Sequence, residues 1–157
     1  MHALIDGSLE LRYRLQGDIG SLCIPPRKPA RRTDDLWRDT CFEAFVRTAR
    51  TGYQEFNFAP SRQWAAYEFD DYRHGMKPLR LLDSPSIVCR VDAQTLELDA
   101  TLASPIPIPG ARRFALCAVL RDMADRVSYW ALAHPPGKPD FHHADGFRLE
   151  LPPWDNR

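Results

Sequence analysis

The fold is decided by Leu36-Trp37-Arg38-Asp39-Thr40-Cys41-Phe42-Glu43-Ala44-Phe45, which is followed by two more segments rich in aromatic residues, at residues 53–60 and 64–69. Turn-forming residues such as Thr51 and Gly52 separate these segments. Aromatic and β-branched side chains fit a pleated surface better than a short helix. The stretch therefore predicts three short strands in series rather than an amphipathic helix over residues 38–50.

Alternation of apolar and polar residues extends this pattern along the chain. It recurs at residues 9–15, 87–92, 96–102 and 147–151, and it predicts strands with one face toward solvent. Residues 114–120 are apolar on both faces, as expected of a strand inside a sheet, and residues 127–133 are predicted to be its neighbour. The 14 prolines disfavour long helices. The sequence thus predicts an all-β protein, an antiparallel β-sandwich.

The length of 157 residues suits one domain, predicted to span residues 1–157. Three loops stand out: a Pro/Arg-rich loop at 25–35, a proline-rich connection at 104–110, and a His/Pro-rich loop at 134–146. We interpret the first as a solvated loop without a function of its own. The last is predicted to border a ligand site.

The net charge and the cysteines indicate which classes of partner and which cellular compartment are favoured. The 21 basic and 21 acidic residues give a net charge of zero, which disfavours nucleic acid as a partner. No apolar run approaches the roughly 20 residues of a membrane span, and residues 1–7 do not begin a signal peptide. The four cysteines are far apart and lie in apolar segments, so we predict free thiols rather than disulfides, in the cytoplasm.

Polar and aromatic side chains are predicted to share one face of the three central strands. If the strand registers align, this face carries Glu43, Glu55, Asn57, Trp64 and Glu68. A flat ring beside carboxylate and amide groups suits a sugar, whose C–H face packs on the ring while its hydroxyls find hydrogen-bond partners. The alternative is a solvated outer face with ordinary cross-strand polar pairs.

The same residues resemble a known family. The three segments and a later block at residues 129–143 are similar to the bacterial DOMON-like group, which is related to type 9 carbohydrate-binding modules and to haem-binding cytochrome domains. The resemblance covers roughly residues 9–151 and implies a β-sandwich that binds its ligand on a concave face or at a loop end. It implies Trp37, Trp64 and Trp130 as ligand contacts, and the later block adds His134.

Two cofactors are considered, although we predict that the protein needs none. Haem would require a methionine and a histidine as axial ligands, with Met76 or Met123 and one of His74, His134, His142 and His143 as candidates. A divalent metal could be held by Asp140, His142 and His143, with Asp145 nearby. The alternative for this cluster is a proline-fixed loop whose side chains cap local backbone groups.

The functional prediction is a non-catalytic binding module for a carbohydrate or a similar polar small molecule. A glycoside-active enzyme would use two of Glu43, Glu55 and Glu68 as a carboxylate pair, but the sequence contains no nucleophile, phosphate-loop or metalloprotease motif. The other alternative is a protein-interaction or accessory module, in which a homodimer would bury Trp64 and Tyr67.

Overall fold

The structure, a computed structural model, describes residues 2–3, 8–47, 52–103 and 112–151. Its strands are β1 (His2–Ala3), β2 (Leu9–Gln16), β3 (Cys41–Arg47), β4 (Tyr53–Phe58), β5 (Trp64–Phe69), β6 (Lys77–Pro78), β7 (Ser86–Val91), β8 (Thr95–Leu102), β9 (Arg112–Arg121), β10 (Val127–Ala131) and β11 (Leu149–Leu151). Short 3-10 helices lie at Ile19–Ser21, Leu36–Arg38 and Ala144–Gly146.

The strands form two antiparallel sheets packed face to face, which confirms the predicted all-β sandwich. The smaller sheet has the order β1-β2-β8-β7, and the seven-stranded sheet has the order β10-β9-β3-β4-β5-β6, with β11 also paired to β9. The central position predicted for residues 114–120 is confirmed, because β9 pairs with β3 on one side and with β10 and β11 on the other. The predicted connection at residues 104–110 lies outside the described residues.

The main core lies between the two sheets. Phe42, Phe58 and Phe114 from the larger sheet are fully buried there against Leu11 and Leu98 of the smaller one. The Tyr13 ring packs 5.1 Å from the Phe42 ring, and its hydroxyl donates a hydrogen bond of 2.8 Å to the backbone carbonyl of Glu43. Apolar burial of this kind is the dominant stabilising contribution to folding.

The outer face of the smaller sheet carries the polar half of the predicted alternation. Arg12 on β2 pairs with Asp99 on β8 at 2.6 Å, and Arg90 on β7 reaches the same carboxylate from the other side. Because this ladder is solvated, it contributes little to stability, but it disfavours burial of the face.

The other face of the larger sheet is also buried, which the sequence did not predict. Strand registers place Phe45, Tyr53, Tyr67 and Phe69 on this face, where they pack with Phe147 beneath the chain that follows β10. The sequence pattern predicts a solvated or ligand-binding face at this position. It is instead a second apolar cluster, since residues 141–147 fold back over the sheet.

All four cysteines are free thiols, as predicted. Cys41 and Cys117 are buried on the covered face, whereas Cys23 and Cys89 are partly exposed. In the part of the chain that the structure describes, no helix has the length and hydrophobicity needed to cross a membrane.

Candidate functional site

A cavity of about 800 Å³ opens on the covered face of the larger sheet. Its floor comes from β3, β4, β5 and β9, and its walls come from loops around residues 34–37, 73–78 and 139–142. The lining residues are Asp34, Asp35, Trp37, Glu43, Glu55, Tyr67, Phe69, Arg73, Met76, Pro78, Val119, Tyr129, Pro139, Asp140, Phe141 and His142. This volume is within the range of pockets that hold small molecules.

Glu43 forms the centre of the floor. It lies on β3 between Asn57 of β4 and Cys117 of β9, and it is only 3% exposed. Its carboxyl group makes no hydrogen bond to any residue that the structure describes. Burial, followed by the charge of Glu55, raises the pKa of Glu43 well above its ordinary value. A buried carboxyl group therefore faces the cavity without a partner.

Glu55 lies diagonally across the strand pair from Glu43 and is held in place. The side-chain amide of Asn57 donates a hydrogen bond of 2.7 Å to Glu55 Oε1. Burial raises the pKa of Glu55, while this hydrogen bond and the charge of Arg73 act in the opposite direction. The floor thus holds two carboxyl groups in different environments, one supported and one open to a ligand.

His142 packs among the aromatic rings at the side of the cavity. Its ring contacts the edges of Phe45 and Phe69 at centroid distances of 5.1 and 5.2 Å. The Tyr53 hydroxyl accepts the backbone N–H of Arg73 at 3.1 Å and shares a second hydrogen bond of 2.7 Å with His142 Nδ1. On the other side of the imidazole, Nε2 lies 3.9 Å from Glu55 Oε2.

The ionisation of His142 follows from this environment. Burial and the positive charge of Arg73 lower the pKa of His142 from 6.5 to about 4, against the opposing effect of Asp140. At neutral pH the ring is therefore uncharged. It lies beside Glu55 as a neutral ring rather than as a cation.

Asp140 ties two walls of the cavity together. Its carboxylate accepts hydrogen bonds from the Tyr72 hydroxyl, from Arg73 Nη2 at 2.8 Å and from the His142 backbone N–H at 3.0 Å. Burial opposes the ionisation of Asp140, but the bonds from Tyr72 and Arg73 outweigh it and lower the pKa of the carboxyl group. The positive charge of Arg73 is thus paired before any ligand arrives.

The turn that presents Arg73 uses left-handed backbone. Arg73 has φ of 51° and Gly75 has φ of 69°. A Cβ atom on Gly75 would lie 2.2 Å from Asp70 Oδ2, so only glycine fits this close approach without a shift. The turn fixes where Arg73 meets Asp140.

The opposite wall combines aromatic rings with Asp34. The Tyr67 hydroxyl donates a hydrogen bond of 2.6 Å to Asp34 Oδ1, and this bond, followed by that from Arg32, lowers the pKa of Asp34. Trp37 and Tyr129 are half exposed at the cavity edge, with exposed fractions of 48% and 50%. Their rings offer flat apolar surface to a ligand.

The structure brings together some of the predicted site residues. Trp37, Glu43 and Glu55 line the cavity, and Asn57 supports Glu55 from below. His134 stands next to this group, with its ring stacked on Phe141 at 6.1 Å, but it does not line the cavity.

Trp64 and Glu68 lie on the opposite face, so the predicted shared face is wrong at these two positions. Trp64 pairs with Phe58 and points into the core between the sheets, where it is 7% exposed. Glu68 pairs with Gln54 and forms an ion pair with Lys77 at 3.8 Å. The register puts Tyr67, not Trp64 or Glu68, beside Glu55, because side chains alternate strictly along a strand.

Trp130 also lies away from the cavity. Tyr129 is the β10 residue that lines it, and the neighbouring Trp130 points to the other face, where it is 60% exposed. Its indole N–H donates a hydrogen bond of 3.0 Å to Ser128 Oγ.

The three residues predicted to hold a metal have other partners. Asp140 binds Tyr72 and Arg73, and His142 binds Tyr53. His143 Nδ1 accepts the backbone N–H of Asp145 and caps the 3-10 helix that follows. Within residues 2–3, 8–47, 52–103 and 112–151, no three His, Cys, Asp or Glu side chains are grouped to hold a metal ion.

Of the methionines and histidines considered for haem, Met76 and His142 line the cavity. Met123 is elsewhere, with its sulfur 3.5 Å from Cys23 Sγ. Because His142 Nδ1 is hydrogen-bonded to the Tyr53 hydroxyl, an iron ligand at this residue would have to use Nε2, which faces Glu55.

Several cavity residues had not been predicted. They are Asp34, Asp35, Tyr67, Phe69, Arg73, Tyr129 and Phe141. Tyr67 and Phe69 share one face of β5, but the register across the turn between β4 and β5 decides that this face is the one that carries Glu55. The loop residues had no signal in the sequence.

Comparison with known proteins leaves the family open. The sequence matches no family model, and neither a curated protein nor a solved structure is significantly similar to it. The resemblance to the DOMON-like group therefore stays a prediction.

Proposed function

We propose that this protein is a non-catalytic binding module for a carbohydrate or a similar polar small molecule, which it holds in the cavity above Glu43. The observation that carries the proposal is the unpartnered Glu43 carboxyl group, 3% exposed, on the floor of a cavity of about 800 Å³. A buried polar group without a partner costs about 1–3 kcal/mol. A ligand hydroxyl or amino group would supply the missing bond.

The walls agree with a ligand that has both polar and apolar surface. Trp37, Tyr129 and Phe141 present rings, while Glu55 and His142 present polar groups that are held at fixed positions. Sugars need this combination, since their hydroxyl groups are directional and their C–H faces are apolar. The DOMON-like resemblance, with its sugar-binding relatives, supports the same proposal, and four free thiols agree with action in the cytoplasm.

The test compares two tryptophans that are both exposed. Trp37→Ala removes a ring that lines the cavity, and Trp130→Ala removes one that does not. Glucose, glucosamine, chitobiose and lactose are titrated calorimetrically into each variant. We expect Trp37→Ala to weaken the affinity for the best sugar about tenfold, which corresponds to ~1.4 kcal/mol. Trp130→Ala should leave the affinity within about twofold.

Two results would overturn this proposal. If none of the four sugars binds, or if Trp130→Ala weakens binding as much as Trp37→Ala does, the cavity is not the sugar site. Release of a monosaccharide from chitobiose or lactose would instead indicate glycoside hydrolysis, for which Glu43 and Glu55 are the candidate carboxylate pair.

The second candidate is a protein-interaction module, and the edge of the larger sheet favours it. The predicted interface at Trp64 and Tyr67 is wrong, because both are only 7% exposed within their own chain. On β10, by contrast, Tyr129, Trp130 and the following Leu132 are 50%, 60% and 50% exposed. In the described residues β10 pairs only with β9, so its outer edge can accept a strand from a second copy.

Sedimentation equilibrium tests this candidate. We expect a concentration-dependent dimer for the wild-type protein and a shift to monomer in Trp130→Ser, since the change removes apolar surface at the edge. A wild-type protein that stays monomeric at every concentration would contradict a strand-paired homodimer.

A further inference from the structure

The cavity lining carries more acidic than basic groups. Its carboxyl groups belong to Asp34, Asp35, Glu43, Glu55 and Asp140. Asp34 is paired with Arg32 at 2.9 Å and Asp35 with Arg38 at 3.4 Å, so Glu43 and Glu55 are the lining carboxyl groups that have no Lys or Arg ion pair among the described residues. The lining contains one guanidinium, that of Arg73, and this charge is already paired with Asp140 at 2.8 Å. His142 contributes no charge at neutral pH, because burial and the nearby Arg73 lower its pKa to about 4. No basic group among the lining residues is left for the carboxyl groups on the floor.

Among the lining carboxyl groups, Glu43 is the one whose negative charge a bound cation would stabilise most. Its carboxyl group makes no hydrogen bond in the described part of the chain and is only 3% exposed, so water solvates its charge poorly. The charge that acts on it most is the like charge of Glu55, which raises its pKa together with burial. A positively charged donor placed between the two would pair with both carboxylates and relieve their mutual repulsion.

The walls are suited to the same kind of group. Trp37, Tyr67, Phe69, Tyr129 and Phe141 surround the floor. Arginine side chains already lie over two of these rings: Arg38 is 5.1 Å from the Trp37 centroid, and Arg32 is 5.3 Å from the Tyr67 centroid. Aromatic faces attract cations, and they do so more strongly where water is excluded.

We infer that the cavity selects a ligand that carries a protonated amino group, with the ammonium between Glu43 and Glu55 and the rest of the ligand against the aromatic walls. An amino sugar combines this group with the hydroxyls and C–H face discussed above. The inference rests on the proposed function, because it specifies the ligand class of the same cavity.

Binding of such a ligand is coupled to a proton. Burial raises the pKa of Glu43 and so favours its protonated form, whereas an adjacent ammonium favours the carboxylate. The protonated fraction of Glu43 therefore gives up its proton as the ligand binds. The titratable groups that interact electrostatically with Glu43 are Tyr13 of β2 from the core side, Cys41 on its own strand, Glu55 from β4 and Cys117 from β9, and Arg73 and His142 lie at the cavity walls. Burial raises the pKa of Tyr13, Cys41 and Cys117, so these three stay neutral near pH 7.

The experiment uses pairs of sugars that differ in protonated amino groups, one in the first pair and two in the second. Glucosamine is compared with glucose, and fully de-acetylated chitobiose with chitobiose, by calorimetry at pH 6.5 on the full chain. We expect the charged member of each pair to bind at least tenfold more tightly. We also expect it to release protons, measured as a binding enthalpy that depends on the ionisation enthalpy of the buffer.

Two variants separate this inference from a general charge effect. Glu43→Gln removes the buried carboxyl group, and Glu68→Gln removes a glutamate on the opposite face of the same sheet. The preference for the charged sugars should fall below threefold in Glu43→Gln and persist in Glu68→Gln. Thermal unfolding of both variants establishes that they are folded.

The possible outcomes are distinct. If glucose and chitobiose bind as tightly as their charged counterparts, the inference fails while the proposed function stands. If none of the four compounds binds the wild-type protein, both fail. If the preference survives in Glu43→Gln, the ammonium lies elsewhere and the inference is overturned. The wild-type preference should also weaken at pH 4.5, where Glu43 is held more firmly in its protonated form.

Discussion

Phe42→Ala is expected to lower the free energy of unfolding by about 3–5 kcal/mol, the range for removing a large buried aromatic side chain. Phe42 is 0% exposed and lies between the sheets, against Tyr13 at 5.1 Å. The alanine leaves a void that the surrounding strands cannot close, because they are held by ladders on both sides. Urea unfolding followed by circular dichroism measures the loss.

The matched control is Phe45→Ala, on the same strand and also 0% exposed, but on the cavity face. Phe45 packs against His142 at 5.1 Å, so its loss should hydrate the imidazole and move the pKa of His142 from about 4 toward 6.5. Phe42→Ala should leave that pKa in place. NMR titration of the His142 ring protons distinguishes the two, and an equal shift in both variants would contradict the two-face arrangement.

The strand pattern and the class of fold could be predicted, because period-2 alternation is local. Leu9, Leu11 and Tyr13 show their burial in the sequence itself, and so does the apolar run of β9. The grouping of Glu43, Glu55 and Asn57 followed from the same alternation within β3 and β4. These positions depend only on neighbours along one strand or across one hairpin.

The face of Trp64 could not be predicted in this way. It depends on the register across the turn between β4 and β5, in which Phe58 pairs with Trp64 and Asn57 with Ala65. A register shifted by one residue would have placed Trp64 and Glu68 beside Glu55, as we predicted. The backbone bonds that set the turn, Ala59 N–H to Gln63 at 3.0 Å and Arg62 N–H to Ala59 at 2.9 Å, have no clear sequence signature.

Local sequence patterns do not predict that the loop with Asp140 and His142 covers the site, because this depends on long-range contacts. Tyr53 and His142 are 89 residues apart in sequence, and Arg73 and Asp140 are 67 apart. A histidine and an aspartate in one loop suggested metal ligands, yet their partners come from distant turns of the larger sheet. Such long-range pairs decide whether a polar strand face is solvated or becomes a cavity floor.

His142 is expected to lower the free energy of unfolding in acid, and this contribution can be measured separately from those of the other titrating groups. Its pKa falls from 6.5 to about 4 on folding, so the folded state binds fewer protons than the unfolded state in this window. The stabilising contribution is complete above pH 6.5 and is lost as the pH falls through about 4. The shift corresponds to about 3 kcal/mol, at 1.36 kcal/mol per pKa unit.

Glu43 and Glu55 oppose this effect, so the wild-type curve alone does not reveal it. Burial raises the pKa of both, which means that their contribution is complete below the ordinary value of 4.5 and is lost as the pH rises through their folded-state values. The difference in free energy of unfolding between wild type and His142→Gln removes the shared terms. That difference should grow by about 3 kcal/mol in favour of the wild type from pH 4 to pH 7.

The difference between wild type and Glu43→Gln should change in the opposite direction over the same range, because the variant no longer has a carboxyl group to ionise. His143→Gln serves as the loop control, since it removes the neighbouring imidazole and retains the His142 contribution. Urea unfolding at half-unit steps of pH measures all four proteins. A wild-type minus His142→Gln difference that stays flat with pH would mean that the imidazole is solvated, and the closed wall formed by Phe45, Phe69 and Tyr53 would then be wrong.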